Sequence, residues 1–241
     1  MAQANPSLKI LDCGTGPGTV VASLSKYMPQ GTITATDLSP EVVERAASHA
    51  RDQGVTNMHC QVASIYDFPF GDGEFDVVHA QQVLCHLNQP LEALRSMLRV
   101  CKPGGIVALR ERDLRMWNWY PDLPGLTEFT KCIRAVMTAA GGSEDMGVRL
   151  VSLAMQAGVK REDITATMGT WCYSTREERE MWGETMRDRI KHGEMRRKVL
   201  EGNLRWDEGE MDEMAKALRE WIEAEDGCFG CMHGEVILRK A

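Results

Sequence analysis

Short apolar, strand-like runs alternate with amphipathic, helix-like runs through the first half of the chain. Five runs rich in β-branched and other apolar residues predict strands over residues 8–12, 32–36, 58–62, 75–79 and 106–110. Three longer runs with apolar residues at helical spacing predict helices over residues 19–27, 40–53 and 90–101. Ser39 is a typical helix N-cap, and Pro40 is a typical first helical residue. This order predicts the doubly wound α/β class, in which helices cover both faces of a mostly parallel sheet.

The second half is richer in charge and has longer helical runs. It predicts helical insertions over residues 113–162 and 174–226, after strands 5 and 6, with further strands over 164–171 and 234–238. The apolar residues expected on the buried face of the second insertion are Trp182, Met186, Ile190, Met214, Leu218, Trp221 and Ile222. We therefore expect a seven-stranded sheet in a single domain over 1–241. Its core should span 8–112, and the insertions should form a substrate lid.

Composition narrows the classes of partner. The 241 residues are 43% hydrophobic and carry a formal net charge of −7, which argues against a nucleic-acid partner because phosphate binding needs a basic face. There is no apolar run long enough to cross a membrane, and the first residues lack the pattern of a secretory signal. A cytoplasmic protein with its eight cysteines reduced is expected.

One cysteine spacing is typical of metal or redox sites. Cys228 and Cys231 are separated by two residues, and His233 follows. A structural zinc normally needs four ligands, usually from two such clusters, and the sequence offers no second cluster. The interpretation we favour is a turn before the last strand, and we expect no metal site.

A glycine-rich segment, Leu11-Asp12-Cys13-Gly14-Thr15-Gly16-Pro17-Gly18, lies where the first strand should turn into the first helix. Glycines permit a tight turn and let a ligand approach the backbone closely. Asp37 ends the next predicted strand, where a carboxylate can accept hydrogen bonds from a ribose diol. A nicotinamide or flavin dinucleotide prefers G-x-G-x-x-G, whereas the spacing here is G-x-G-x-G after an acidic residue. The loop resembles motif I of the class I S-adenosylmethionine-dependent methyltransferases.

Three later segments extend this resemblance in the same order. Residues 64–70 are similar to the family's adenine-side segment, 73–79 to its fourth-strand motif, and 98–105 to the signature before its fifth strand. Over residues 8–112 the chain resembles the ubiquinone/menaquinone-biosynthesis-type methyltransferases, with a Rossmann-like fold. The resemblance implies S-adenosylmethionine as cofactor and S-adenosylhomocysteine as product. The cofactor-binding residues that it implies are Asp12, Cys13, Gly14, Thr15, Gly16, Gly18, Asp37, Leu38, Ser64, Ile65 and Gln81.

Two departures from the family pattern affect these expectations. Ser64 stands where many relatives have aspartate toward the adenine amine, which weakens that contact or moves it to Ile65. Only nine residues precede Ile10, whereas family members commonly carry N-terminal helices that close over the cofactor. Either the C-terminal insertion or a second copy in a homodimer is expected to supply that lid, or the site is unusually open.

Methyl transfer from a sulfonium depends on holding the acceptor in line inside a dry pocket, and it needs a base only when the acceptor must lose a proton. The candidate bases are His86 and His79, around the end of the fourth strand; each could instead hold the loop by hydrogen bonds. The candidate substrate contacts are Gln82, Arg110, Glu111, Trp117 and Trp119. For the charged pair the alternative is a salt-bridge network, and for the tryptophans it is a packed core.

The predicted reaction is C- or O-methylation of a small acceptor, of an aromatic, polyketide-like or quinol-like type. One alternative is a methyltransferase-fold protein that binds the cofactor or a partner without transferring methyl. A second is an NAD(P)-dependent oxidoreductase, which would need the dinucleotide glycine spacing and a Tyr-Lys or similar catalytic pair; the sequence shows neither.

Overall fold

A seven-stranded sheet organises the computed structural model, which describes residues 7–202 and 204–241. The first six residues, on which the expectation about a secretory signal rests, lie outside the described residues. The strands are β1 (Lys9–Cys13), β2 (Thr32–Asp37), β3 (Met58–Val62), β4 (Phe75–Gln81), β5 (Cys101–Tyr120), β6 (Ile164–Tyr173) and β7 (Cys228–Arg239). Their order in the sheet is β3-β2-β1-β4-β5-β7-β6.

The pairings confirm a mostly parallel sheet. β1 pairs in parallel with β2 and with β4, and the parallel pairing continues to β3 on one side and to β5 on the other. β7 runs against β5, since Gly104 N donates to Lys240 O at 2.8 Å and Lys240 N donates to Gly105 O at 3.0 Å. The carboxyl ends of β1 to β4 therefore lie along one edge, where ligands bind in open α/β sheets.

Eight α-helices connect or follow these strands in the described residues. They are α1 (Thr19–Ser25), α2 (Pro40–Asp52), α3 (Pro90–Val100), α4 (Pro124–Ala139), α5 (Met146–Gln156), α6 (Arg176–Lys191), α7 (Glu194–Glu201) and α8 (Glu208–Glu223). The Ser39 side chain accepts from Val42 N at 3.4 Å and caps α2, as its sequence position predicts. Capping boxes headed by Thr175 and Asp207 start α6 and α8.

The chain divides into two compact units. The first comprises residues 1–111, 148–167 and 234–241, and the second comprises 112–147 and 168–233. In the first unit, fully buried apolar residues from the central strands form the core, among them Leu11, Ile33 and Val78. The second unit has its own core around Phe129, Trp221 and Phe229.

The core of the second unit confirms the buried face predicted for its helices. Six of the seven predicted residues are at most 9% exposed, and Trp182 packs against the same cluster while partly exposed. Aromatic rings from α4, α6, α8 and the strands meet here; the Trp119 and Phe229 rings are stacked with centroids 4.0 Å apart. This packing explains how helices with so many charged residues are held, because each buries one apolar stripe.

Two local predictions were wrong. Residues 113–120 belong to β5 and not to a helical insertion, since tryptophans at 117 and 119 favour a strand and both pack into the core. The Cys228–Cys231 segment is also strand: Phe229 and Cys231 are buried while their neighbours are half-buried, the period-two pattern of β7.

In the part of the chain that the structure describes, no three His, Cys, Asp or Glu side chains are grouped as metal ligands. Within that part, none of the helices has the length and apolarity needed to cross a bilayer.

Candidate active site

A cavity of about 250 Å³ lies at the carboxyl edge of the first unit's strands. The segments that line it follow β1, β2, β3 and β4, so the chain returns to one place after each strand. Its lining residues are Gly14, Thr36, Asp37, Leu38, Ala63, Ser64, Ile65, Tyr66, Gln82, Val83, His86 and Leu87. A larger groove of about 600 Å³ lies in the second unit, between the start of α4 and α8, and contains none of the predicted site residues.

The glycine-rich loop packs tightly against the segment after β4. Gly14 has φ +66°, and a Cβ built on it would lie 2.6 Å from Val83 Cγ2, so only glycine fits without movement. Thr15 N donates to Thr36 O at 2.8 Å, which ties the loop to the end of β2. The Thr15 Oγ1 atom is buried, with no hydrogen-bond partner within the described part of the chain. A buried hydroxyl of this kind is typical of a site whose ligand completes the hydrogen bonding.

Asp37 is fixed by two backbone donors. Gly16 N donates to one carboxylate oxygen and Ser39 N to the other, each at 3.2 Å. These bonds orient a half-buried carboxylate at the cavity wall, on the last residue of β2. Each carboxylate oxygen has a further lone pair with which to accept from a ligand hydroxyl.

The segment after β3 makes a tight turn at the cavity. Tyr66 N donates to Ser64 Oγ at 3.3 Å, and Asp67 N donates to Ser64 O at 3.2 Å. Tyr66 lies in the wall and its hydroxyl donates to Asn88 Oδ1 at 3.2 Å. Tyr66 is a wall residue that the motif alone did not single out, although it lies within residues 64–70.

The segment after β4 is held from beneath by Glu111, which has no exposed surface. One carboxylate oxygen accepts from Val83 N at 3.0 Å and Leu84 N at 2.8 Å, and the other accepts from Cys85 N at 3.2 Å. Burial raises the pKa of Glu111, and these hydrogen bonds oppose the rise. Glu111, predicted as a substrate contact, does not line the cavity; its two oxygens accept from the backbone of residues 83–85 and so hold the cavity wall in place.

Gln82 and His86 lie on the cavity side of that wall. Gln82 has φ +55°, the one positive φ among the described non-glycine residues, and its N–H donates to Arg110 O at 2.8 Å. A backbone in this region persists only where surrounding contacts enforce it. His86 ends the short 3₁₀ turn Leu84–His86 and is exposed. The structure thus brings the predicted base His86 and the predicted substrate contact Gln82 to the same cavity.

His79 does not line the cavity. Its Nδ1 atom lies 2.6 Å from an oxygen of Asp12, which is 4% exposed. A buried carboxylate with an imidazole partner orients the ring, so this pair joins β1 to β4. Cys13, beside Asp12, is buried, and that burial raises the pKa of its thiol well above the usual range.

The remaining predicted residues have other surroundings. Gly18 is the N-cap residue of α1 and faces α2, where a Cβ on Gly18 would meet Ala46 Cβ at 3.0 Å. Gln81 is the last residue of β4. The Arg110 Nε atom lies 3.2 Å from a carboxylate oxygen of Glu235. Arg110 therefore forms a salt bridge, which was the alternative to its predicted contact with substrate. Trp117 and Trp119 pack against the aromatic core of the second unit, which was the alternative to their predicted contact with substrate.

Comparison with known proteins identifies the family. The family model of a methyltransferase domain matches residues 11–109. An uncharacterized methyltransferase of Schizosaccharomyces pombe is 31% identical over 242 residues, covering 96% of this chain and 84% of the relative. A ubiquinone/menaquinone biosynthesis C-methyltransferase of Vibrio parahaemolyticus is 34% identical over 110 residues, 45% of this chain and 42% of that protein.

The fold is shared with solved structures. The YcgJ protein of Bacillus subtilis superposes with a TM-score of 0.60 at 17% identity, over 98% of this chain and 93% of that one. At that identity the likeness shows the fold, whereas the relative from Schizosaccharomyces pombe shows the family along the chain. The chain therefore belongs to the S-adenosylmethionine-dependent methyltransferase family.

Proposed function

We propose that the cavity of the first unit holds S-adenosylmethionine and that the chain transfers its methyl group to a small aromatic, polyketide-like or quinol-like acceptor. The observation that carries the proposal is the convergence of Gly14, Asp37, Ser64 and His86, at or after the ends of four separate strands, on one cavity. The buried Thr15 hydroxyl, which lacks a partner within residues 7–202 and 204–241, supports a polar ligand at the glycine-rich loop.

The residues present fit the cofactor's parts. The Gly14 backbone at the cavity wall would hold the amino-acid end, and the Asp37 carboxylate would accept from the ribose hydroxyls. Ile65 and Tyr66 offer apolar and aromatic surface for the adenine. When bound, the cofactor supplies a methyl group activated by a sulfonium.

The chain's own contribution is positioning and proton transfer. Glu111 holds residues 83–85 in place, and with them the wall that carries Gln82 and His86. His86 is the proposed acceptor of a proton from a phenol, quinol or carbon acid, and Gln82 is a proposed hydrogen-bonding group for a polar acceptor atom. The small acceptor is favoured by the net charge of −7, because nucleic acid would be repelled.

The experiment is a transfer assay with cofactor that carries a labelled methyl group. Phenols, quinols and polyketide-type rings would be compared with thiols, amines, RNA and a protein mixture as acceptors. The proposal predicts label in a small oxygen- or carbon-methylated product, in amounts that fall in Asp37→Ala. Label only in macromolecules would contradict the acceptor class. Cofactor binding without product across the whole panel would favour the alternative of a protein that binds without transferring methyl.

A further inference from the structure

Two cysteine side chains face each other at the edge of the sheet. Cys172 lies near the end of β6, the outermost strand in the sheet order, and Cys228 begins the neighbouring strand β7. Their Sγ atoms are 3.8 Å apart. Cys172 is exposed and Cys228 is half-buried, so a small reagent can reach the pair. Neither residue lines the cavity assigned to the cofactor.

One buried guanidinium holds the backbone beside both cysteines. Arg179, which is 3% exposed, donates to the carbonyl oxygens of Gly227, at 2.8 Å, and of Ser174. Gly227 directly precedes Cys228, and Ser174 follows Cys172 by two residues. The two strand ends are therefore held together by hydrogen bonds that do not involve either sulfur.

The separation of the sulfur atoms suits a cross-link. A disulfide bond is about 2.05 Å long, so the two Sγ atoms, which are 3.8 Å apart, need to approach by about 1.8 Å. Rotation about the two Cα–Cβ bonds moves the sulfur atoms on that scale. Most of the other cysteines are less accessible to an oxidant than Cys172. Five of them are buried: Cys13, Cys85, Cys101, Cys132 and Cys231.

We propose that Cys172 and Cys228 form a redox modification site that closes to an intrachain disulfide, with a peroxide as oxidant. The Cys172 thiolate attacks the peroxide oxygen, which breaks the O–O bond, forms a sulfenic acid and releases water after protonation. The Cys228 sulfur then attacks the Cys172 sulfur, forming the S–S bond and expelling the hydroxyl as a second water. The two thiols lose two electrons and two protons, and hydrogen peroxide is reduced to two molecules of water.

The order of the steps follows from exposure. Burial, together with the neighbouring Cys172 thiol, raises the pKa of Cys228, which makes it the second sulfur to react. The disulfide would enclose α6, α7 and α8, which lie between the two cysteines in the chain. It should stabilise the folded state by restricting the unfolded chain.

The test uses the full reduced chain and hydrogen peroxide. After treatment, free thiols are alkylated and the peptides are mapped by mass spectrometry without reduction. The expected result is one linked peptide pair that contains Cys172 and Cys228, the loss of two of the eight titratable thiols, and full recovery with dithiothreitol. The thermal midpoint should rise by several degrees on oxidation.

Serine variants give the matched controls. Cys172→Ser and Cys228→Ser should each abolish the linked pair, whereas Cys60→Ser, at a half-buried cysteine elsewhere, should retain it. Over-oxidation of Cys172 to sulfinic acid without a linked peptide, or a link between other cysteines, would overturn the proposal. The wild-type peptide map alone decides between these outcomes, even if a variant fails to fold.

Discussion

Glu111→Ala is expected to destabilise the protein by about 3–5 kcal/mol. The substitution leaves three backbone donors, on Val83, Leu84 and Cys85, without their acceptor in a place where Glu111 has no exposure. A buried donor that loses its partner costs about 1–3 kcal/mol, or roughly 3–9 kcal/mol for three. Burying the carboxylate is itself unfavourable, as its raised pKa shows, and alanine removes that cost. The expected cost therefore lies near the lower end of this range, at about 3–5 kcal/mol.

Glu111→Gln should cost less, about 1–3 kcal/mol. One oxygen of Glu111 serves Val83 and Leu84, and the other serves Cys85. The glutamine oxygen can retain the hydrogen bonds from Val83 and Leu84. Its NH₂ group, however, cannot accept from the Cys85 N–H, so that hydrogen bond is lost. The predicted order of stability is therefore wild type, then glutamine, then alanine.

Urea and thermal unfolding followed by circular dichroism measure this order. For a chain of this length, about 1 kcal/mol corresponds to about 2–4 °C, so Glu111→Ala should lower the midpoint by roughly 6–20 °C. Glu44→Ala is the control, since its side chain is 73% exposed and paired with exposed Arg51; a change below about 0.5 kcal/mol is expected. The reasoning is refuted if Glu111→Ala matches this control, or if glutamine is worse than alanine.

The raised pKa of Glu111 also predicts a pH dependence. The folded state holds this proton more tightly than the unfolded state, so the residue's contribution to stability is present below the unfolded pKa, about 4.3, and is lost as pH rises through the folded pKa. Glu111→Gln cannot titrate. The stability difference between wild type and Glu111→Gln should therefore shrink as pH rises through that window, in unfolding curves measured at several pH values.

Three further substitutions separate structural from catalytic roles. Gly14→Ala should cost about 1–3 kcal/mol more in urea unfolding than Gly54→Ala, since both have φ +66° but only Gly14 meets a side chain at 2.6 Å; equal costs would remove the packing argument. His86→Ala should lower turnover far more than cofactor affinity in matched kinetic and calorimetric measurements, and unchanged turnover would make His86 structural. His79→Ala should lower stability by about 1–3 kcal/mol because the buried Asp12 carboxylate loses its hydrogen-bond partner, and an unchanged midpoint would contradict that role.

The sequence predicted the first half of the fold well because its signals are local. A cap at Ser39 and a stop at Gly54 set α2, and the structure has both features. The segment around Arg99 was matched as a motif, and the structure gives its physical role. The Arg99 guanidinium donates to the carbonyls of Phe68 and Phe70, at 3.0 and 2.8 Å, and so holds the end of the adenine-side segment, residues 64–70.

Contacts distant in sequence were not predictable from pattern alone. Glu111 meets its donors 26 to 28 residues earlier in the chain, and no periodicity encodes that pairing. Tyr66 gains its place in the wall from a bond to Asn88, 22 residues away. The extent of β5 was also missed, because the strand preference of Trp117 and Trp119 depends on context and is weak evidence until their packing partners in the core are known.

Isothermal titration with S-adenosylmethionine, beside S-adenosylhomocysteine and NADH, tests the cofactor site most directly. We predict that the wild-type protein binds S-adenosylmethionine and S-adenosylhomocysteine and does not bind NADH. In Asp37→Ala the affinity should fall by about 1–3 kcal/mol, since a charged hydrogen-bond acceptor at the ribose is lost. Equal affinity in wild type and Asp37→Ala, or preferential binding of NADH, would contradict the proposed site.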